Sequence, residues 1–192
     1  MTALIVIMVI LVILLAYVVM TYNGLIGEIE AVDNSERQID VQLDRRYKVF
    51  ESLINVVNKY MDYEKTTLKD VTRLRNQAQA AKSSGDSASR MEAENAISGI
   101  AKGISIQFEN YPDLKANQNV MQLQEEITST ENKLAFSKQA FNDSIEKYNA
   151  HKKSFFAGMV VGFFKSKLDK VFTYWNITEE KKIEMENYKV EL

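Results

Sequence analysis

The chain has 192 residues, a formal net charge of −2, one Pro and seven Gly. So few turn-forming residues argue against an all-β fold, which needs such punctuation about every 8–12 residues, and predict an all-α protein. The nearly balanced charge argues against general affinity for nucleic acid. Because there is no Cys, disulfides, thiolate chemistry and cysteine-ligated metals are excluded.

The N-terminal segment is predicted to span a membrane. Ala3–Met20 consists of eighteen consecutive apolar residues, counting Tyr17, and contains no charge. A helix of this length covers roughly the 30 Å of a hydrocarbon core. A cleaved signal peptide has a basic n-region and a small-x-small site. Because neither is present, residues 1–22 are interpreted as a retained anchor, with Tyr17 and Tyr22 at its exit end, where aromatic rings favour the interface.

The segment after the anchor carries the pattern of an amphipathic helix. Apolar residues recur there at spacings of three and four from residue 28 to residue 82. The predicted helix stops at residues 83–86, whose sequence Ser-Ser-Gly-Asp is typical of a loop.

Two further helices follow this loop. Ser89 and Glu92 have the spacing of a capping box, which predicts the start of the next helix. That helix is expected to end before Pro112, because Pro disfavours helix at the preceding residue. Asn117 is the predicted N-cap of a last core helix that extends to about His151.

The helix lengths leave two arrangements open. In one, a hairpin has a returning arm that is broken at Tyr111-Pro112; in the other, a bundle forms because the first stretch itself breaks near Met61-Asp62. In both, the C-terminal end of the core, near residue 151, returns toward the membrane.

Several stretches of the chain resemble the bacterial LemA family. They are Gln38–Tyr47, Tyr111–Asn117, Leu123–Glu126, Thr130–Lys133, Phe141–Asp143 and Tyr148-Asn149. The resemblance runs from the anchor to about Asn149. It implies an up-and-down antiparallel bundle of four long helices over residues 23–151, behind an N-terminal anchor in the bacterial inner membrane, with the bulk of the domain in the cytoplasm. It implies no reaction and no cofactor.

Two departures from the family pattern bear on function. Glu51-Ser52-Leu53 stands where the family has Pro-Asn-Leu, and Tyr63 stands where it has a His. The missing His weakens any metal or acid–base centre. No set of a base, a nucleophile and an orienting group is recognisable elsewhere, so no catalytic residue, metal ligand or cofactor site is predicted.

Charged residues on the first and last core helices form one candidate site. A polar network is predicted between these helices, and its members are Asp40, Asp44, Arg45, Arg46, Glu125, Glu126 and Glu131. The functional interpretation is a ligand or anion site. One structural interpretation is a set of interhelical ion pairs that fixes the register of the bundle, since buried pairs specify partners more reliably than they stabilise. The other is a solvated face of the helices.

The second candidate site lies in residues 152–177. Its apolar part is too short to span a bilayer and is flanked by Lys residues. The interpretations are a membrane-interface segment, a plug of the bundle core, and a contact between subunits. The aromatic residues expected at the interface or subunit contact are Phe155, Phe156, Phe163, Phe164 and Trp175. Residues 178–192 form a charged tail.

The sequence therefore predicts a non-enzymatic, single-pass membrane protein. We expect a helical scaffold with coiled-coil-like helices that self-associates as a homo-oligomer, with the membrane and other copies of the chain as its partners. The alternative is a lipid- or ligand-sensing module at the membrane surface.

Overall fold

The computed structural model describes residues 1–57, 66–108 and 117–175, and every regular element in these ranges is a helix. The helices are α1 Thr2–Val57, α2 Thr66–Ser84, α3 Ser87–Phe108, α4 Gln118–Lys153, α5 Phe155–Phe163 and α6 Lys165–Leu168. The all-α prediction is confirmed. The predicted breaks near Met61-Asp62 and at Tyr111-Pro112, and the charged tail, lie outside the described residues.

The chain divides into two compact units. The anchor unit comprises Met1–Asp40 and Phe136–Tyr174, and the bundle unit comprises Val41–Ala135 and Trp175–Leu192. The helices α1 and α4 each contribute residues to both units, whereas α2 and α3 belong to the bundle unit alone.

In the anchor unit α1 and α4 run antiparallel. The hydroxyls of Ser35 and Ser144 are 3.1 Å apart, and a Glu28 carboxylate oxygen is 3.0 Å from Nδ1 of His151. Residue numbers therefore rise along α4 as they fall along α1, which brings the end of α4 beside the residues that follow the anchor. The buried residues at this interface are Leu25, Ile29, Val32, Ile39, Phe141, Ile145 and Tyr148.

The exposed end of α1 is the part that was predicted to span a membrane. Every side chain from Leu4 to Leu15 is apolar and at least half exposed. Among the described residues, this is the one helix that is long and apolar enough to cross a membrane.

In the bundle unit α2 and α3 pack against each other as a hairpin. Gly85 closes α2 with a φ of 75°, and its N–H donates to the Lys82 carbonyl while the Asp86 N–H donates to that of Ala81. These two bonds form a Schellman cap, in which Gly adopts the left-handed conformation without a steric penalty. The predicted stripes supply the core: Leu43, Tyr47, Phe50, Leu53, Val71, Leu74, Ala78, Ala81, Ala93, Ile97, Val120, Ile127 and Leu134 are buried.

Of the two helix starts predicted from the sequence, the structure confirms the one at Asn117 and moves the other. Asn117 caps α4 as predicted, because its side-chain oxygen accepts from the Asn119 N–H at 3.0 Å. The capping box at Ser89 is wrong, since α3 begins at Ser87. Asp86 takes the capping role: its carboxylate accepts from the N–H and hydroxyl of Ser89 at 3.0 and 2.6 Å, and the hydroxyl bond in particular lowers the pKa of Asp86.

Candidate functional site

A buried arginine forms the centre of the first site, in the bundle unit. Arg46 on α1 is 1% exposed, and its guanidinium makes an ion pair with the buried carboxylate of Glu94 on α3. The same guanidinium donates to the Ser98 hydroxyl at 2.8 Å and lies 3.6 Å from a carboxylate oxygen of Glu131 on α4. Three helices are therefore joined through one side chain. We call Arg46, Tyr47, Glu94, Ser98 and Glu131 the charged cluster.

Tyr47 completes the coordination of Glu94. Its hydroxyl donates to the second carboxylate oxygen of Glu94 at 2.6 Å, so both oxygens of this buried acid have a partner. Burial and, next, the neighbouring carboxylate raise the pKa of Tyr47 well above its usual range. Tyr47 therefore keeps its proton and remains a donor. The guanidinium of Arg75 lies 4.7 Å from the centre of the same ring.

The structure brings together part of the predicted network. Arg46 and Glu131 meet as predicted. Arg45 pairs with Glu126, another member of the predicted network, with Nε 2.8 Å from the carboxylate, at a half-exposed position. Glu125 is exposed, and Asp40 belongs to the anchor unit. The network does not join only the first and last core helices, because its main acid lies on α3.

Sequence reasoning missed Glu94, although a signal was present. Arg90, Ala93, Glu94, Ile97 and Ala101 are all buried on one face of α3. An acidic residue that falls on the apolar face of a helix needs a buried partner. That rule alone would have directed attention to Glu94 as the counter-ion of Arg46.

The composition of the charged cluster limits its chemistry. One guanidinium faces two carboxylates, so an additional anion would meet net negative charge. Among the described residues, no group of three or more metal-ligating side chains could hold a metal ion. The arrangement is suited to fixing which helix faces meet, the best-attested use of buried ion pairs.

The second site is the apolar segment 154–164 of the anchor unit, which we call the aromatic tip. Helix α5 is apolar on both of its faces, but only one face is covered. Ala157, Val160 and Val161 are buried, whereas the large side chains opposite them are open. The exposed ones are Phe155, Phe156, Met159, Phe163 and Phe164.

The aromatic tip lies beside the end of the anchor. The ring of Phe156 packs edge-on against Tyr17 with centroids 5.9 Å apart, and that of Phe164 packs against Tyr22 at 5.0 Å. Such edge-to-face pairs are favoured geometries for aromatic rings. Tyr17 and Tyr22 are the two residues that the sequence places at the exit end of the anchor.

Helix α4 holds the chain on both sides of the aromatic tip. The buried Tyr148 hydroxyl donates to the Leu168 carbonyl and accepts from the Lys170 N–H at 2.8 Å. Nζ of Lys152 lies 3.1 Å from the Asp169 carboxylate. The segment that follows the tip is thereby fastened to the last turns of α4.

Trp175 does not belong to this exposed surface. It is 6% exposed, lies in the bundle unit and has the Arg90 guanidinium 5.0 Å from its ring centre. Its expected contact with a membrane or another subunit stays a prediction, and in the described structure its ring is covered and faces Arg90.

Comparison with known proteins gives a consistent result. The LemA family pattern matches residues 35–186, and so extends past Asn149, where the resemblance was expected to end, and includes the aromatic tip. Protein LemA of Metamycoplasma hominis is 26% identical over 165 residues, which are 86% of this chain and 66% of that relative. The chain therefore spans slightly less than two thirds of the relative's length. On the extent of the family match, the chain belongs to the LemA family.

Proposed function

We propose that this chain is a non-enzymatic scaffold that holds a helical bundle at the surface of a membrane and self-associates there. One observation carries the proposal: α1 passes without a break from an exposed apolar segment into a buried stripe that begins at Leu25. Anchor and folded part thus share one helix. The α4 residues that cover the stripe therefore lie close to the anchor, because no flexible linker separates the anchor from the stripe within α1.

Exposed apolar side chains support self-association. The anchor residues Leu4 to Leu15 form a continuous apolar surface, on which a second copy of the helix can pack by van der Waals contact. Beyond residues 1–22, Phe136 of the anchor unit is 71% exposed and Val41 of the bundle unit is 59% exposed. The continuous apolar surface of the anchor is the kind that marks an interaction site, whereas single exposed residues such as Phe136 and Val41 are common on any protein surface.

Family membership supports the location. A bacterial inner membrane, with the bulk of the domain in the cytoplasm, is the arrangement that the LemA resemblance implies. The charged cluster fits a scaffold because it specifies helix pairing without forming an open binding site.

Membrane retention tests the anchoring part of the proposal. We expect the full-length protein to remain in the membrane fraction after alkaline carbonate extraction. Replacing Ile10 and Ile13 by Lys adds about 2.5–3.5 kcal/mol per residue to the cost of insertion and should release the chain. The matched control replaces both residues by Leu and should be retained. Retention of the Lys variant would contradict anchoring by α1.

Light scattering after size exclusion in detergent tests the self-association part. We expect a protein mass that is a multiple of the 22.0 kDa of one chain. A mass of one chain across a wide range of protein concentrations would reject the homo-oligomer and leave a monomeric anchored bundle.

The second candidate function is a lipid-sensing module, and the aromatic tip is the feature that favours it. A scaffold needs a stable assembly whatever the lipid, whereas a sensor changes its state with lipid composition. Repeating the mass measurement in nanodiscs of neutral and of anionic lipid separates the two. A constant stoichiometry supports the scaffold, and a composition-dependent one supports the sensor.

A further inference from the structure

We propose that the aromatic tip is a second membrane contact, which inserts its exposed rings among the headgroups of an anionic bilayer beside the anchor. This inference rests on the proposed anchoring of the chain by α1, and it names the lipid partner of the anchor unit. Four observations within that unit carry it.

The first observation is which face of α5 is open. Phe155, Met159 and Phe163 follow one another at four-residue spacing and therefore share a face of the helix, and they are 78, 49 and 87% exposed. A plug of the bundle core would bury these rings. The small and branched residues Ala157, Val160 and Val161 are buried instead, so the side with the largest apolar surface faces outward.

The second observation is depth along the anchor. Phe156 meets Tyr17 and Phe164 meets Tyr22, and five residues of helix correspond to about 7.5 Å. Interfacial helices bury their apolar face to roughly 5–10 Å in the boundary between headgroups and acyl chains. The aromatic tip therefore covers the stretch of α1 that an interfacial segment would share with the anchor.

The third observation is charge. Residues 152–170 contain five Lys and a single acid, Asp169. Asp169 is paired with Lys152, which leaves a positive excess on the exposed residues Lys153, Lys165, Lys167 and Lys170. Lysines next to an interfacial apolar segment are attracted to the negative surface potential of anionic lipids. This excess favours an anionic bilayer over a second copy of the same Lys-rich tip, because two such tips repel each other.

The fourth observation is preorganisation. Helix α5 begins two residues after the end of α4, and the Tyr148 hydroxyl fastens the backbone at Leu168 and Lys170. The aromatic tip is thus already folded before it meets lipid. Insertion then avoids most of the entropy cost of ordering a segment on binding.

Spin labelling of the full-length protein tests the inference, and the natural absence of Cys allows one label at a time. The labelled variants are Met159→Cys on α5, Ile10→Cys in the anchor and Gln139→Cys at an exposed position of α4. Each is placed in nanodiscs of equimolar phosphatidylcholine and phosphatidylglycerol. Relaxation by molecular oxygen, which concentrates in lipid, is compared with relaxation by a water-soluble nickel chelate.

We expect oxygen accessibility to exceed nickel accessibility at Ile10→Cys and Met159→Cys, and the reverse order at Gln139→Cys. A nickel accessibility above the oxygen accessibility at Met159→Cys, with Ile10→Cys still in lipid, would overturn this inference and leave the anchoring by α1 intact. Exclusion of both reagents at Met159→Cys would also overturn it, in favour of a subunit contact. Nickel above oxygen at Ile10→Cys would instead contradict the anchoring on which the inference rests.

The preference for anionic lipid has its own test. The double substitution Lys165→Glu with Lys167→Glu reverses two exposed charges and should lower the oxygen-to-nickel ratio at Met159→Cys in the anionic nanodiscs. The control is the same pair of proteins in nanodiscs of phosphatidylcholine alone, where the ratio should change little. An equal change in both lipids, or none in either, would contradict recognition of anionic headgroups.

Discussion

The charged cluster and the aromatic tip depart in opposite ways from the usual rule that charged residues are exposed and apolar residues are buried. Arg46 is 1% exposed in the bundle unit, whereas Phe163 is 87% exposed in the anchor unit. The buried charge has its partners within the same chain, namely Glu94, Ser98 and Glu131. Helix α5, which carries the exposed rings, is covered by the protein on the side of Ala157, Val160 and Val161 and is open on the side of the rings.

This difference indicates separate roles for the buried charge of the charged cluster and for the exposed rings of the aromatic tip. A buried ion with several partners in its own unit is accounted for by the fold itself. A contiguous exposed apolar surface is not, and it indicates a contact with something outside the chain. Architecture is therefore the natural role of the charged cluster, and the aromatic tip is the better place to look for a partner.

The largest expected loss of stability comes from burying a charge that has no partner, in contrast to Arg46, whose buried charge has several. Leu43 lies one turn before Arg46 and is 4% exposed, so Leu43→Asp buries a charge without partners. We expect a loss of about 5 kcal/mol in the free energy of unfolding. Lys48→Asp, at an exposed position five residues later, should cost about 1 kcal/mol or less.

Both variants are compared as full-length proteins in mild detergent, by urea unfolding followed through the fluorescence of Trp175, the single Trp of the chain. Equal midpoints for Leu43→Asp and Lys48→Asp would contradict the assigned buried face of α1.

The next effect concerns the charged cluster itself. Glu94→Ala removes the main partner of Arg46 and the acceptor of the Tyr47 hydroxyl, and should cost about 3–5 kcal/mol. Glu126→Ala breaks the half-exposed pair with Arg45 and should cost under about 1 kcal/mol. The same urea measurement ranks the two. A smaller loss for Glu94→Ala than for Glu126→Ala would show that the cluster is not a structural centre.

The smallest effect concerns the attachment of the aromatic tip. Tyr148→Phe leaves the part-buried Lys170 N–H without its acceptor, a local cost of about 1 kcal/mol. Hydrogen exchange in peptides that cover α5 and α6 should become faster. The matched control is Tyr174→Phe, which removes only an exposed bond from Asn149. Unchanged exchange in Tyr148→Phe would mean that the tip is held by other contacts.

Much of the fold could be predicted from the sequence because helical periodicity and caps are local signals. The buried positions of Leu43, Val71 and Ile97 follow from their spacing of three and four, and Asn117 caps α4 as its residue type predicts. The start of α3 was misplaced because two residues compete for one helix end. Asp86 wins because it follows the Gly85 turn directly, which positions its carboxylate over the first free N–H groups.

The charged cluster was harder to predict than the stripes. Periodicity locates the apolar face of each helix but does not say which helices meet, so Arg46 was assigned to acids on the last core helix and its main partner Glu94 on α3 was missed. The same limit applies to the aromatic tip. Its composition could be read directly, but its contacts with Tyr17 and Tyr22 depend on how α4 returns along α1.

Cysteine scanning of the anchor in native membranes tests the central claim of a self-associating membrane scaffold most directly. Single Cys residues are placed in turn from Leu4 to Leu15 and oxidised, and disulfide-linked dimers are quantified at low expression. We predict crosslinking maxima every three to four positions, because one face of each anchor packs against another copy. Uniformly low crosslinking along the whole segment would mean that the anchor faces lipid on all sides, and would contradict the claim.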